Sequence, residues 1–380
     1  MTTDSASPAS KAPTSRRMLS LDALRGFDML FIMGGAALLA ALAQWWPCVF
    51  TEELALQMKH VEWHGLRHHD TIFPLFLFIA GISFPFSLAK LQQDGRSSAA
   101  IHWKVLRRGL TLVVLGIIYN GLLSSWDLCH ARYASVLGRI GLAWMFAAFI
   151  YIHTSWRQRI GITAALLVGY WLLMRFVAAP DGGGADIYSA QGSIAGYIDR
   201  LLLPGKVYRG NIDPEGILST IPAIATALLG MFTGDWVRLE CQGLTPAKKA
   251  AWMAIAALPL LALGLLWNLD FPINKSLWTS SFVLVVAAYS LLLFALFYYV
   301  IDVLGCRRWC FFFTVIGLNS ITIYLAQKFV DFHFTADAIF SGLIKLLPES
   351  SQPFFTAAAY ITVCWLFLYA LYRLRIFLKV

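Results

Sequence analysis

Lys59–Ser87 reads KHVEWHGLRHHDTIFPLFLFIAGISFPFS. Its first half holds His60, His64, His68 and His69 together with Glu62 and Asp70. Its second half, from Thr71 onward, carries no ionisable side chain and continues as an apolar run toward Leu91. A helix needs about 20 such residues to cross the hydrocarbon core of a bilayer. The segment therefore reads as a cluster of titratable groups at the mouth of a membrane helix. Ionisable groups are costly there and by default mark a functional site.

The rest of the chain repeats the apolar half of this pattern. Of its 380 residues, 59% are hydrophobic and 13% charged, against about 25% charged in a typical soluble domain. The reading is an all-α polytopic membrane protein with about ten transmembrane helices. The expected spans are Leu19–Gln44, Thr71–Leu91, Arg108–Leu122, Val136–His153, Ile160–Ala178, Gly216–Trp236, Ala250–Trp267, Thr279–Ile301, Cys310–Lys328 and Phe354–Tyr372. Asp331–Leu347, interrupted by polar residues, reads as a short re-entrant or interfacial piece. The ten-residue alternating segments of a β-barrel are missing. Residues 1–17, opening MTTDSASPASKAPTS, read as a disordered cytoplasmic tail, and 18–380 as one transmembrane domain. No small-residue cleavage site follows the first apolar run, so the tail is not expected to be a cleaved signal.

Lys and Arg in short loops set the orientation. Both termini are expected in the cytoplasm, with the loops carrying Arg16, Arg17, Lys104, Arg107, Arg108, Arg157, Lys248 and Arg307. That bias accounts for the net charge of +9 without a nucleic-acid partner. The histidine-rich segment then lies outside, with the loops Ser124–Ser135, Ala179–Pro214 and Leu269–Trp278. The six cysteines show no zinc spacing, and no metal is expected. Cys48 and Cys129 share the outer side, so a disulfide between them stays open.

Several polar groups admit two readings. Asp22, Arg25 and Asp28 lie three apart on one helical face, either as a structural ion network or as the rim of a cofactor entrance. His60, His64 and His68 have the spacing of one helix face or of a metal site. Asp70 could cap the helix that follows.

The ordered motifs carry a resemblance. They are RMLSLDALRGFDM, KHVEWHGLRHHDTIFPLFLFIAGIS, RRGLTLVVLGIIYNG, VLGRIGLAWMF, DPEGILSTIPAIATALLGMFTGDW, NKSLWTSSFVLV and GLNSITIYLAQ. In this order they resemble the heparan-α-glucosaminide N-acetyltransferase family of the transmembrane acyltransferase superfamily. Within it the chain is similar to a bacterial branch associated with N-acetylglucosamine utilisation and sometimes labelled a sugar transporter. The resemblance implies a multi-pass protein of the bacterial inner membrane. It would move an acetyl group from cytoplasmic acetyl-CoA to a glucosamine-type amino sugar in the periplasm. It also implies that His60 is the active-site base or acetyl carrier, and that Asp70 is the acidic residue before the F-P element. One departure is plain: Ala36 stands near the place where lysosomal members have an asparagine.

Residue chemistry adds candidates. Glu62, Trp63, Trp126, Asp127 and Glu215 are acceptor-binding candidates on the outer side, although tryptophans there also form interfacial belts. Arg16, Arg17, Arg25, Lys104, Arg107 and Arg108 are candidates for the CoA phosphates, although basic loops also serve topology and lipid contact. Asn120, Arg139, Asn319 and Gln327 lie within spans and are expected to line a passage for the pantetheine arm. The competing expectation is an amino-sugar or N-acetylglucosamine transporter, for which an internal repeat would be usual and none is visible. A homodimer is compatible with the sequence, which does not decide it.

Overall fold

The structure is a computed structural model that describes residues 18–122, 127–208 and 210–378. Among these residues every regular element is a helix, and the only bridges are the isolated pairs Arg132–Gly205 and Ala178–Ser193. Eight helical stretches are long and apolar enough to cross a membrane. They are Leu19–Trp45, His68–Gln93, Val136–His153, Trp156–Phe176, Thr220–Arg238, Pro246–Trp267, Ser280–Val303 and Glu349–Arg373.

The other two expected spans are helical but differ in build. The third runs from Ser98 to Tyr119 rather than starting at Arg108, and Lys104, Arg107 and Arg108 fall within it. The ninth breaks at Asn319 (φ −127°) into Phe311–Leu318 and Ser320–Phe329. Phe332–Ile344 follows as a short apolar helix.

The first span is labelled α1 (Leu19–Leu30) and α2 (Ala36–Trp45), joined by a π-turn at Phe31–Gly35. Gly34 has φ +125°, a conformation that L side chains rarely adopt, so this kink belongs to glycine. Next come α3 (Val49–Gln57), α4 (His68–Gln93), α5 (Ser98–Tyr119), α6 (Val136–His153), α7 (Trp156–Phe176), α8 (Ile194–Leu202) and α9 (Thr220–Arg238).

Two close crossings place the site. A Cβ on Gly81 of α4 would lie 2.3 Å from the carbonyl oxygen of Ala227 in α9, and one on Gly230 would lie 2.2 Å from that of Phe78. A Cβ on Gly26 of α1 would lie 1.7 Å from the Phe313 carbonyl oxygen. In a bilayer, where lipid is as apolar as the side chains, such backbone approach is a main source of helix association.

The four connections expected on the outer side meet at one end of the bundle. Gly65 N–H donates to Ile273 O (2.8 Å), Trp63 Nε1 to Tyr188 O (2.8 Å) and Lys206 N to Ala131 O (3.1 Å). Cys48 and Cys129 are both free and exposed, with no disulfide between them.

Candidate active site

The site begins at the start of α4. Asp70 stands in its first turn, and its Oδ2 accepts from the backbone N–H of Arg67 (3.3 Å) and of Val61 (3.2 Å). This is the capping role open to an acid at that position, and it leaves Oδ1 for another partner. That partner is His60 Nδ1 at 2.6 Å. The Asp70 side chain is 2% exposed and that of His60 52%. An Nδ1–H donated to the Asp70 carboxylate would leave the lone pair on Nε2. The Arg67 guanidinium fixes the loop from the other side by donating to His60 O (3.0 Å).

Lys275 completes the cluster, with Nζ 3.4 Å from Asp70 Oδ1 and 3.2 Å from His60 Nδ1. The turn that carries it is strongly built. Asn274 Oδ1 accepts from Leu277 N (2.9 Å), and its amide donates to Trp63 O (2.9 Å). Trp278, fully buried at φ +52°, packs its ring on Phe73 at 4.9 Å. A left-handed aromatic residue is rare and survives only where surroundings over-determine it.

His60, Trp63, His69, Asp70, Glu215, Lys275 and Tyr324 line a cavity of about 310 Å³. Arg132, which lines the same cavity, makes a forked contact with Asp213 (Nε–Oδ2 2.8 Å, Nη2–Oδ1 2.6 Å) and also touches Glu215. Its guanidinium lies 4.4 Å over the Tyr208 ring. Burial pulls the Arg132 pKa down, but Asp213 and Glu215 more than offset this and hold it above the usual range. Burial acts to raise the Asp213 pKa, yet Arg132 and the N–H groups of Glu215 and Tyr208 bring it below the ordinary carboxylate value.

A second cavity, of about 280 Å³, abuts the first. Ile32, Phe73, Val136 and Tyr324 line both. Its other walls are apolar apart from Arg25, Arg108, Ser320 and Tyr324. Arg25 donates to Ser83 Oγ (2.9 Å) and pairs with Asp22 (3.4 Å). Arg108 lies 4.2 Å over the Trp144 ring, and its Nε is buried without a hydrogen-bond partner. Two cations at an otherwise apolar cavity, one with a donor to spare, fit an anionic molecule with a long apolar arm.

The structure thus brings together His60, Asp70, Trp63 and Glu215 in one chamber, and Arg25 and Arg108 in the next. The other candidates sit elsewhere. Glu62 is exposed and lines neither cavity, and Asp127 turns to His130 (2.8 Å). Lys104 and Arg107 lie exposed on α5 outside both cavities. Asn120 donates to Arg132 O (3.1 Å) and Ala134 O (2.7 Å), shaping the loop that carries Arg132. Arg139 is buried under the Asp213–Glu215 turn, bonding Gly216 O (3.3 Å) and Ser219. Asn319 Nδ2 donates to Ile376 O (3.1 Å), and Gln327 donates to Tyr360 OH (2.7 Å) beside a separate cavity. Arg16, Arg17 and Trp126 lie outside the described residues.

The remaining histidines diverge. His68 Nδ1 meets Tyr289 OH at 3.0 Å, and His64 Nδ1 lies 3.4 Å from Asn274 Nδ2. Among the described residues no three of His, Cys, Asp and Glu converge as a metal site. Lys275, Arg132 and Tyr208 are not among the site residues expected from sequence, and His69, expected only in a supporting role, lines the cavity. Lys275 stands inside the NKSLW motif, but a lone loop lysine has no local signature that separates it from a topology signal.

No family model matches the chain. Among curated proteins it is similar to heparan-alpha-glucosaminide N-acetyltransferase of Homo sapiens, 30% identical over 379 residues, which is 85% of this chain and 56% of the relative. The Mus musculus protein of the same name is 28% identical over 434 residues, 98% of this chain and 62% of the relative. The chain therefore spans about three fifths of the length of the curated relatives it matches.

Proposed function

The chain is a relative of the heparan-alpha-glucosaminide N-acetyltransferases over most of its own length, and from that premise we propose that it is a multi-pass membrane acetyltransferase. In this reading an acetyl group passes from cytoplasmic acetyl-CoA to a glucosamine-type amino sugar on the far side of a bacterial inner membrane. The observation that carries it is the pair of back-to-back cavities. One offers cations and apolar walls, the other a base and carboxylates, and four side chains form their common wall.

Acetyl-CoA supplies an activated thioester. Arg25 and Arg108 would hold its charged and polar parts, and Met29, Ile32, Phe73 and Leu112 would enclose its arm. His60 Nε2 presents the lone pair that either takes the amine proton or receives the acetyl group. Asp70 fixes the ring's tautomer and orientation through Nδ1. In the direct route the C–S bond breaks as the amide C–N bond forms, and the imidazole passes the amine proton to the leaving thiolate. In the covalent route the C–S bond breaks as a C–Nε2 bond forms, and that bond breaks in turn as the amine nitrogen takes the acetyl group, its proton leaving to balance the released thiolate. Glu215 and Trp63 face the chamber, where a carboxylate and a flat indole suit an amino sugar.

The test uses liposomes with radiolabelled acetyl-CoA and glucosamine on opposite sides. Wild type should yield labelled N-acetylglucosamine, and His60→Ala should lower the rate by about 10²–10⁴-fold with acetyl-CoA binding retained. Passage of unmodified sugar with no acetyl transfer, in wild type and variant alike, would favour a transporter and overturn the proposal.

A further inference from the structure

We propose that Tyr324 is a further catalytic residue, whose phenol O–H hydrogen-bonds the carbonyl oxygen of the acetyl group and stabilises the oxyanion formed during transfer. The proposal rests on the acetyltransferase reading given above. In that reading the thioester carbonyl carbon belongs to both substrates, entering with the donor and being attacked from the acceptor's chamber. It must therefore sit where the two cavities adjoin. The side chains that line both are Ile32, Phe73, Val136 and Tyr324. Three are hydrocarbon, and only the phenol can donate a hydrogen bond.

The surroundings hold that phenol in place. Tyr324 lies in the helix Ser320–Phe329, and its ring stacks on that of Tyr119, the last residue of α5, with centroids 4.5 Å and planes 18° apart. The two hydroxyls are hydrogen-bonded to each other. Such a pair spends only one of its two O–H protons internally. When Tyr119 donates, the Tyr324 proton is available to the acetyl oxygen. Tyr119 lines neither cavity and acts as a positioning residue. No cation lines both cavities. Arg132 and Lys275 border only the chamber, where Asp213, Glu215 and Asp70 engage them, and Arg25 and Arg108 border only the other cavity. Addition of the nucleophile moves the carbonyl π pair onto oxygen, and its return breaks the C–S bond and expels the thiolate. Tyr324 keeps its proton throughout.

The experiment reads the contact directly. Acetyl-CoA with an isotopically labelled carbonyl is bound to purified full-length chain in detergent, without acceptor, and its stretch is followed by infrared difference spectroscopy. His60→Ala serves as the background, so that no acetyl group moves. Adding Tyr324→Phe should raise the stretching frequency, as loss of a hydrogen bond to the oxygen requires, and Tyr119→Phe should raise it less. A ring-fluorinated tyrosine at 324, a stronger donor of nearly the same shape, should lower the frequency and serves if Tyr324→Phe does not fold. In the chain with His60 intact, Tyr324→Phe should lower kcat by about 10²–10³-fold, with KM for acetyl-CoA within a few-fold of wild type. A carbonyl frequency indifferent to the hydroxyl at 324, or a kcat within a few-fold of wild type, would overturn the proposal. A frequency that responds to Tyr324 in a chain that transfers nothing to glucosamine would sustain this contact and count against the acceptor assignment alone. Failure of the wild-type chain to bind acetyl-CoA would overturn both readings.

Discussion

At the scale of single residues, the loops that meet at one end of the bundle hold a titration that should be visible in stability. Asp199 on α8 is 1% exposed, and its carboxylate accepts from Ile217 N (2.9 Å) and Asp213 N (3.3 Å). Burial outweighs those two donors and raises its pKa to about 6. A carboxyl whose folded value exceeds its unfolded one stabilises the fold fully below the unfolded value, about 4, and that contribution is lost as pH rises through about 6. The shift corresponds to roughly 3 kcal/mol. Thermal unfolding in detergent should therefore fall in midpoint between pH 4 and pH 6.5, and Asp199→Asn should flatten this slope. An identical slope in the variant would assign the titration to another group. The same scale shows what a motif can and cannot carry. His60 and Asp70 were legible because H-x-x-W and D-x-x-F-P lie together in one segment. Lys275 comes from 205 residues further along, and no local pattern ties it to Asp70.

At the scale of elements, the site depends on how closely α4 and α9 approach. Gly230 and Gly81 face each other across that crossing, where any Cβ would collide with backbone rather than with a movable side chain. Gly230→Ala should therefore push α9 off α4 and destabilise the protein by about 1–3 kcal/mol, as overpacking does. The lower melting temperature should come with weakened acetyl transfer, since α4 carries Asp70. A variant as stable as wild type would show that the crossing is not tightly specified. Element type was legible throughout, because long apolar runs in a bilayer have little choice but helix. Element ends were less so. The third helix begins ten residues before Arg108 because Ser97 caps it through Ala100 N (3.3 Å), and hydropathy is blind to a polar first turn. The ninth run reads as continuous, yet it breaks at Asn319, whose side chain is committed to the backbone of Ile376 and Leu378.

At the scale of the molecule, the proposed function rests on two neighbouring cavities that share four lining side chains. Ile32, on the π-turn of the first span, lines both of them and a third besides. Ile32→Trp should fill the common wall. Acetyl transfer in the liposome assay should fall by about 10²-fold, while acetyl-CoA binding by calorimetry stays within a few-fold of wild type. Loss of both together would place the arm-binding cavity elsewhere. From the amino acids alone followed the all-helical membrane class and the histidine cluster at a helix mouth. The family resemblance followed from the same source, met now by the two curated relatives. Those features are written in composition and in residues close along the chain, where bilayer thickness and hydrogen-bonding cost leave few alternatives. Tertiary structure decided which charges face His60, which of the basic residues border a cavity, and that the two cavities share a wall. Each of these depends on side chains far apart in sequence, brought together by helix crossings whose angles and offsets arise from packing in three dimensions.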